Sequence, residues 1–197
     1  MQILEKVFGS AARVKVMRLF LLNKTKTFTS KDIATRSRVS PLSTRKELKV
    51  LETVEFVKKR ASGYVFNPNF KYTNELEGLL VNSNTLDIDQ LSSHFKKAGR
   101  VKFLVVSGVF IKNKESRVDL LIVGDNIKKG KVEEEIRKLE AEMGAEIVYA
   151  LFATKEFIYR LNMYDKLVRD ILDFPHEVII ENKELSTQIA NATRKLV

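Results

Sequence analysis

The stretch from Ser30 to Val57, SKDIATRSRVSPLSTRKELKVLETVEFV, constrains this chain more than any other. It reads as a helix, a short turn and a second helix that ends against a strand. Ile33 and Ala34 in the first segment, Val39 in the turn, and Thr44, Leu48 and Leu51 in the second fall at helical spacing, so they can face one small core. Ser30 and Ser40 stand where N-caps are wanted, and Pro41 follows Ser40 at a first-turn position that needs no N–H donor. The second helix is then left with Ser40, Pro41, Leu42, Ser43, Arg45, Lys46 and Lys49 on its outer side. A polar, cationic helix face of that width suits the major groove and its phosphates.

The flanks fit the same small domain. Upstream, SAARVKVMRLFLL places Val14, Met17, Phe20 and Leu21 on one stripe, and Thr27 to Thr29 is short and β-prone. Downstream of Leu51 the pattern changes to alternation, Phe56 to Arg60 and then Tyr64 to Phe66, with Gly63 available for a turn. A β-hairpin follows, carrying Lys58, Lys59 and Arg60. Thr73 to Val81 reads as one more short helix, and Asn82-Ser-Asn-Thr marks a domain boundary, giving units of 1–82 and 83–197.

Charge supports an uneven division of labour. Residues 1–84 hold 16 Lys and Arg against 7 Asp and Glu, whereas residues 85–197 hold 19 against 18. Nearly all of the net charge of +10 therefore belongs to the first part, and a polyanion is the partner expected for it. With no cysteine, disulfides and thiolate chemistry are excluded. No apolar run approaches membrane-spanning length, and Lys6 is followed by FGSAAR rather than by the apolar core of a signal peptide, so a cytoplasmic protein without membrane contact is expected.

The segments FGSAARVKVMRLFL, SKDIATRSRVSPLSTRKELKVLETVEFVKKR and SGYVFNP together resemble the winged helix-turn-helix domains of bacterial and archaeal transcription regulators, over residues 8–70. The resemblance implies double-stranded DNA as partner, the second helix in the major groove and a wing whose Lys58, Lys59 and Arg60 touch backbone or minor groove. Such regulators act on paired half-sites, so a homodimer is implied. One departure is visible: Glu55 stands where such domains usually place Gly before the wing strand.

The second half alternates helices with short apolar strands, which makes it an α/β unit. VKFLVVS (101–107), VDLLIV (118–123) and EIVYALF (146–152) read as buried strands, and Glu177 to Ile180 as a last one. Val132, Ile136, Leu139 and Met143 form one helical stripe, Phe157, Leu161, Tyr164, Val168 and Ile171 another, and Leu185 to Leu196 a terminal helix. The fold class expected is thus a two-domain α+β, α/β chain with a small mixed sheet flanked by helices in its C-terminal part. His94 and His176 lack ligand partners at any usual spacing, and no metal site is assigned.

The order strand, Ser107-Gly108, polar loop, strand VDLLIVGD, helix and strand resembles the minimal nucleotidyltransferase-like domain over residues 100–175. In active members a Gly-Ser turn holds a triphosphate, and carboxylates on alternate residues of the second strand hold Mg²⁺. Here Asp119 matches the second of that pair, Glu146 is a match for the later third carboxylate, Arg117 replaces the first, and the turn reads Ser107-Gly108. A lone carboxylate beside an arginine cannot hold the ions that order a triphosphate. The site is therefore read as degenerate, leaving the domain to dimerise, bind a protein partner or sense. The rival expectation is a Mg-dependent nucleotidyltransferase that uses Asp119 and Glu146, with nucleotide at Ser107 and Gly108 and the winged helix as substrate adaptor.

Overall fold

A computed structural model describes residues 3–82, 88–95, 97–113 and 115–194. It is a mixed α/β structure in two compact units. One comprises Met1–Thr85 with Arg137–Glu146, the other Leu86–Ile136 with Ile147–Val197. This division differs from a cut at 82/83 by the segment 137–146; residues 83–87, where the boundary was expected, lie outside the described residues. Among the described residues no helix is long and apolar enough to cross a membrane.

In the first unit, α1 (Ile3–Val7), α2 (Ala11–Leu22), α3 (Ser30–Ser37) and α4 (Pro41–Thr53) precede a hairpin of β1 (Val57–Arg60) and β2 (Gly63–Phe66). Then α5 (Thr73–Glu77) runs into a π-helical turn, Gly78–Asn82. The α2 helix starts on Ser10, whose Oγ accepts from Arg13 N. Instead of one apolar stripe it buries Val14 and everything from Val16 to Leu21, because α1, α3, α4 and the π-helical turn pack around it. The cost of that position is Arg18, 1% exposed. Its Nε donates to Leu80 O at 2.8 Å and its Nη1 to Glu142 O at 3.0 Å, and desolvation pulls its pKa below the ordinary arginine value, partly offset by Glu142.

The start of α3 lies one residue earlier than its serine suggests. Thr29 is the cap: its Oγ1 accepts from Asp32 N, and the Asp32 carboxylate accepts from Thr29 N, closing a capping box, so Ser30 is the first helical residue. Ser40 does cap α4, accepting from Ser43 N at 3.1 Å, with Pro41 in the first turn. At the far end of α4, Glu55 takes the left-handed conformation (φ +58°), with Glu55 N bonded to Glu52 O and Phe56 N to Leu51 O. These two bonds make a Schellman ending, whose left-handed position favours Gly. Leu51 and Phe56 lie in the core that it closes.

The hairpin turns on Ala61 and Ser62, and Gly63 begins the return strand. Gly63 serves a close approach: a β-carbon there would run into the Phe28 backbone, which bonds Tyr64 in both directions at 2.9 and 2.8 Å. The β-prone stretch before α3 thus contributes a single bridge, Phe28 to Tyr64.

In the second unit, α6 (Ile88–Phe95), β3 (Arg100–Val106), β4 (Leu120–Asp125), β5 (Tyr149–Ala153), α8 (Thr154–Asn162), α9 (Lys166–Asp173), β6 (Glu177–Ile180) and α10 (Lys183–Arg194) surround one sheet. The intervening α7 spans Lys129–Met143, its residues from 137 onward grouped with the first unit. The end of the chain at 195–197 lies outside the described residues. The sheet order is β5-β4-β3-β6, with β4 and β5 parallel and the other pairs antiparallel. Its core joins Phe103, Val105, Leu121 and Val123 to Phe157, Leu161, Val168 and Ile171. The stripe from Phe157 to Ile171 belongs to two helices, not one. Tyr164 turns left-handed (φ +55°), and Asp165 caps α9 by accepting from Leu167 N and Val168 N.

Candidate nucleic-acid interface

Helix α4 has two electrically different sides. Its inner side buries Thr44, Glu47, Leu48 and Leu51. Glu47 is consumed there, accepting from Ser10 Oγ at 2.7 Å and from Arg13 Nε at 2.8 Å. Its outer side exposes Pro41, Leu42, Arg45, Lys46 and Lys49, with Leu42 80% accessible. Leu42, Lys46 and Lys49 are spaced by four and three residues, so they share a stripe, with Arg45 at its flank. Neither Arg45, Lys46 nor Lys49 has an acidic partner among the described residues. Ser40 and Ser43 sit at the helix start with their hydroxyls bonded to each other at 2.9 Å.

Four other cations of this unit are paired with acids. Arg13 pairs with Glu47, Lys15 with Glu142, Lys24 with Glu77 and Arg36 with Glu146. Pairing separates these four from an exposed set that forms no salt bridge among the described residues, Lys6, Lys26, Lys31 and Lys71 included. To the exposed set belongs Arg38, in the turn before Ser40 with φ +49°, which the sequence pattern did not single out. Its signal was simply its place in the turn that leads into α4. On the hairpin, Lys59 and Arg60 are exposed and Lys58 is half-buried. Strand alternation puts Lys58 and Arg60 on one face and Lys59 on the other, so the three cations do not form one surface.

The residues matched to a nucleotidyltransferase site occupy a different kind of place. Asp119 is 7% exposed. Its Oδ1 accepts from Val109 N and its Oδ2 from Val148 N, each at 2.8 Å. Ser107 Oγ donates to Val118 O, and Ser107 N donates to Asp119 O. Gly108 turns left-handed (φ +53°) directly over the Asp119 carboxylate, where a β-carbon would collide with Oδ1. Ser107, Gly108 and Asp119 therefore come together as a knot that ties the ends of β3 and β4 to the segment before β5. Arg117 turns to Asp170 at 3.1 Å rather than to Asp119.

Glu146 has a partner of its own. It belongs to the first unit, where Arg36 Nη1 donates to its carboxylate at 2.6 Å and holds it below the usual carboxylate range. His94 faces Glu135 at 3.1 Å and His176 bonds the carbonyl of Phe174. Among the described residues no group of three or more His, Asp or Glu side chains is arranged to hold a metal ion.

Comparison with protein-family models, with curated proteins and with solved structures finds no match.

Proposed function

We propose that this chain is a sequence-specific, DNA-binding transcription regulator whose first unit is a winged helix-turn-helix. In this reading α3 and α4 are the helix-turn-helix, the hairpin of β1 and β2 is the wing, and α4 enters the major groove of double-stranded DNA. Lys46 and Lys49 neutralise phosphates, Arg45 and Ser43 reach base edges, and Lys58 and Arg60, which share one face of the hairpin, contact the flanking backbone. The observation that carries it is the polarity of α4: its inward Glu47 is neutralised internally, and its outward cations have no acidic partner among the described residues. Cations left exposed and unpaired on one helix face are what counterion release from a polyphosphate requires.

The second unit, in the same reading, is a nucleotidyltransferase-like domain used for dimerisation or for a protein partner. Support comes from Asp119, whose two oxygens are both taken by backbone N–H groups, a structural employment that leaves no open ligand set for Mg²⁺. The regulator is expected to bind as a homodimer to half-sites one helical turn apart.

The test is selection from random duplex DNA followed by binding at several salt concentrations. A recovered consensus bound by the native chain and lost by the Arg45→Ala, Lys46→Ala double variant supports the reading. Equal binding by both chains overturns it.

A further inference from the structure

The even charge balance of residues 85–197 conceals a local imbalance that only the fold assembles. Two segments far apart in sequence, Lys97 to Arg100 and Asn126 to Lys129, meet at one end of the sheet. Lys128 N donates to Ala98 O at 2.7 Å, and Arg100 stands opposite Asp125 in the β3–β4 register. Two glycines permit the approach. At Gly99 (φ +150°) a β-carbon would come within 2.7 Å of Asn126 O, and at Gly124 it would strike Arg100 O and lie 2.9 Å from Val101 Cα. The result brings the chain segments that carry Lys97, Arg100, Lys128 and Lys129 to one end of the sheet, with all four residues exposed.

Three arginines elsewhere in this unit meet acids at short range, Arg117 with Asp170, Arg160 with Glu156 and Asp165, and Arg169 with Asp173, while Lys155, Lys166 and Lys183 stand exposed and singly along the chain. At this end the acid nearest in register, Asp125, is already taken by Lys102 at 2.8 Å. Lys97, Arg100 and Lys128 have no acidic partner among the described residues, and Lys129 reaches Glu133 only at 3.9 Å. Like charges held close by backbone hydrogen bonds repel one another, and a polyanion relieves that repulsion while releasing its own counterions.

We infer that Lys97, Arg100, Lys128 and Lys129 form a second phosphate-binding surface, on the sheet unit, that grips the backbone of duplex DNA without reading its sequence. This goes beyond the assignment of α4 and is carried by different residues. Phosphate contacts without base contacts add affinity and salt dependence uniformly across sequences.

The experiment uses the full chain in four forms: native, α4-neutralised (Arg45→Ala, Lys46→Ala, Lys49→Ala), sheet-neutralised (Lys97→Ala, Arg100→Ala, Lys128→Ala, Lys129→Ala), and both together. Each is titrated with a long random-sequence duplex at several salt concentrations, after circular dichroism has confirmed native-like helix content. The α4-neutralised chain is expected to keep salt-dependent binding, and adding the sheet substitutions is expected to flatten the slope of log K against log salt by about 2 to 4. An unchanged slope and low-salt affinity after the sheet substitutions overturns the proposal. The assignment of α4 is judged separately, by whether its neutralisation removes preference for a selected sequence. Loss of that preference with no change from the sheet substitutions sinks the second surface alone, and the opposite pattern sinks the α4 assignment alone.

Discussion

The outer face of α4 and the knot around Asp119 both concentrate polar groups near a helix or strand start, and they dispose of them in opposite ways. On α4 the one inward acid is neutralised by Arg13 and accepts a hydrogen bond from Ser10, and the outer cations stay exposed with no acidic partner among the described residues. At the knot the carboxylate is buried, two backbone donors aim at it, and the neighbouring hydroxyl and amide are also bonded. Groups that are satisfied internally contribute to stability, and groups left open at the surface are available to a partner. The comparison teaches that motif residues must be judged by where their hydrogen bonds already go.

The sharpest way to break this contrast is at Asp119. Asp119→Ala strands the N–H groups of Val109 and Val148, and is expected to lower unfolding free energy by about 3–5 kcal/mol in a urea titration. A stable variant that instead loses Mg-dependent transfer from a nucleoside triphosphate would reverse the roles of the two regions. On the other side, Arg45→Ala or Lys46→Ala is expected to weaken binding to a selected site by about 1–3 kcal/mol each, and to change the unfolding free energy in urea by less than about 0.5 kcal/mol.

Smaller effects sharpen the account of the first unit. Thr29→Ala should cost about 1 kcal/mol of stability, and Ser30→Ala almost nothing, because only Thr29 holds the capping bond. Hydrogen bonds from Thr29 also hold the Asp32 carboxyl below its ordinary pKa. A depressed carboxylate contributes stability above its unfolded pKa and loses it as pH falls through the folded one. Acid titration below about pH 4 should therefore destabilise the native chain more than Asp32→Asn. Glu55→Gly relieves a left-handed non-glycine and should add about 0.5–1 kcal/mol without altering DNA affinity. Lys58→Ala should weaken binding a few-fold across all sequences and reduce the salt slope by about 1.

Helices α2 to α4 of the first unit and the four strands of the second were legible because apolar spacing at 3.6 or in short runs survives in the sequence without long-range help, whereas the short α1, with no buried residue, was not read. Finer features required knowing partners. Thr29 and Ser30 are adjacent cap formers, and only the carboxylate at Asp32, three residues after Thr29, decides between them. The stripe from Phe157 to Ile171 is continuous in hydrophobicity, yet Asp165 caps a new helix within it. Burial of Arg18 against two carbonyls that are 62 and 124 residues away left no local signature. The same holds for the two segments that carry cations to one end of the sheet, whose meeting depends on strand register and on the two glycines that let their backbones touch.

The most direct measurement of the central claim is the salt dependence of binding to a selected duplex by the native chain and by the Arg45→Ala, Lys46→Ala variant. The account predicts that log K falls linearly with log salt for the native chain, and that the variant loses both its preference for the selected sequence and about one to two from the slope. A native chain that binds no duplex at low salt, or a variant indistinguishable from it, would contradict the claim that the open face of α4 is where DNA is read.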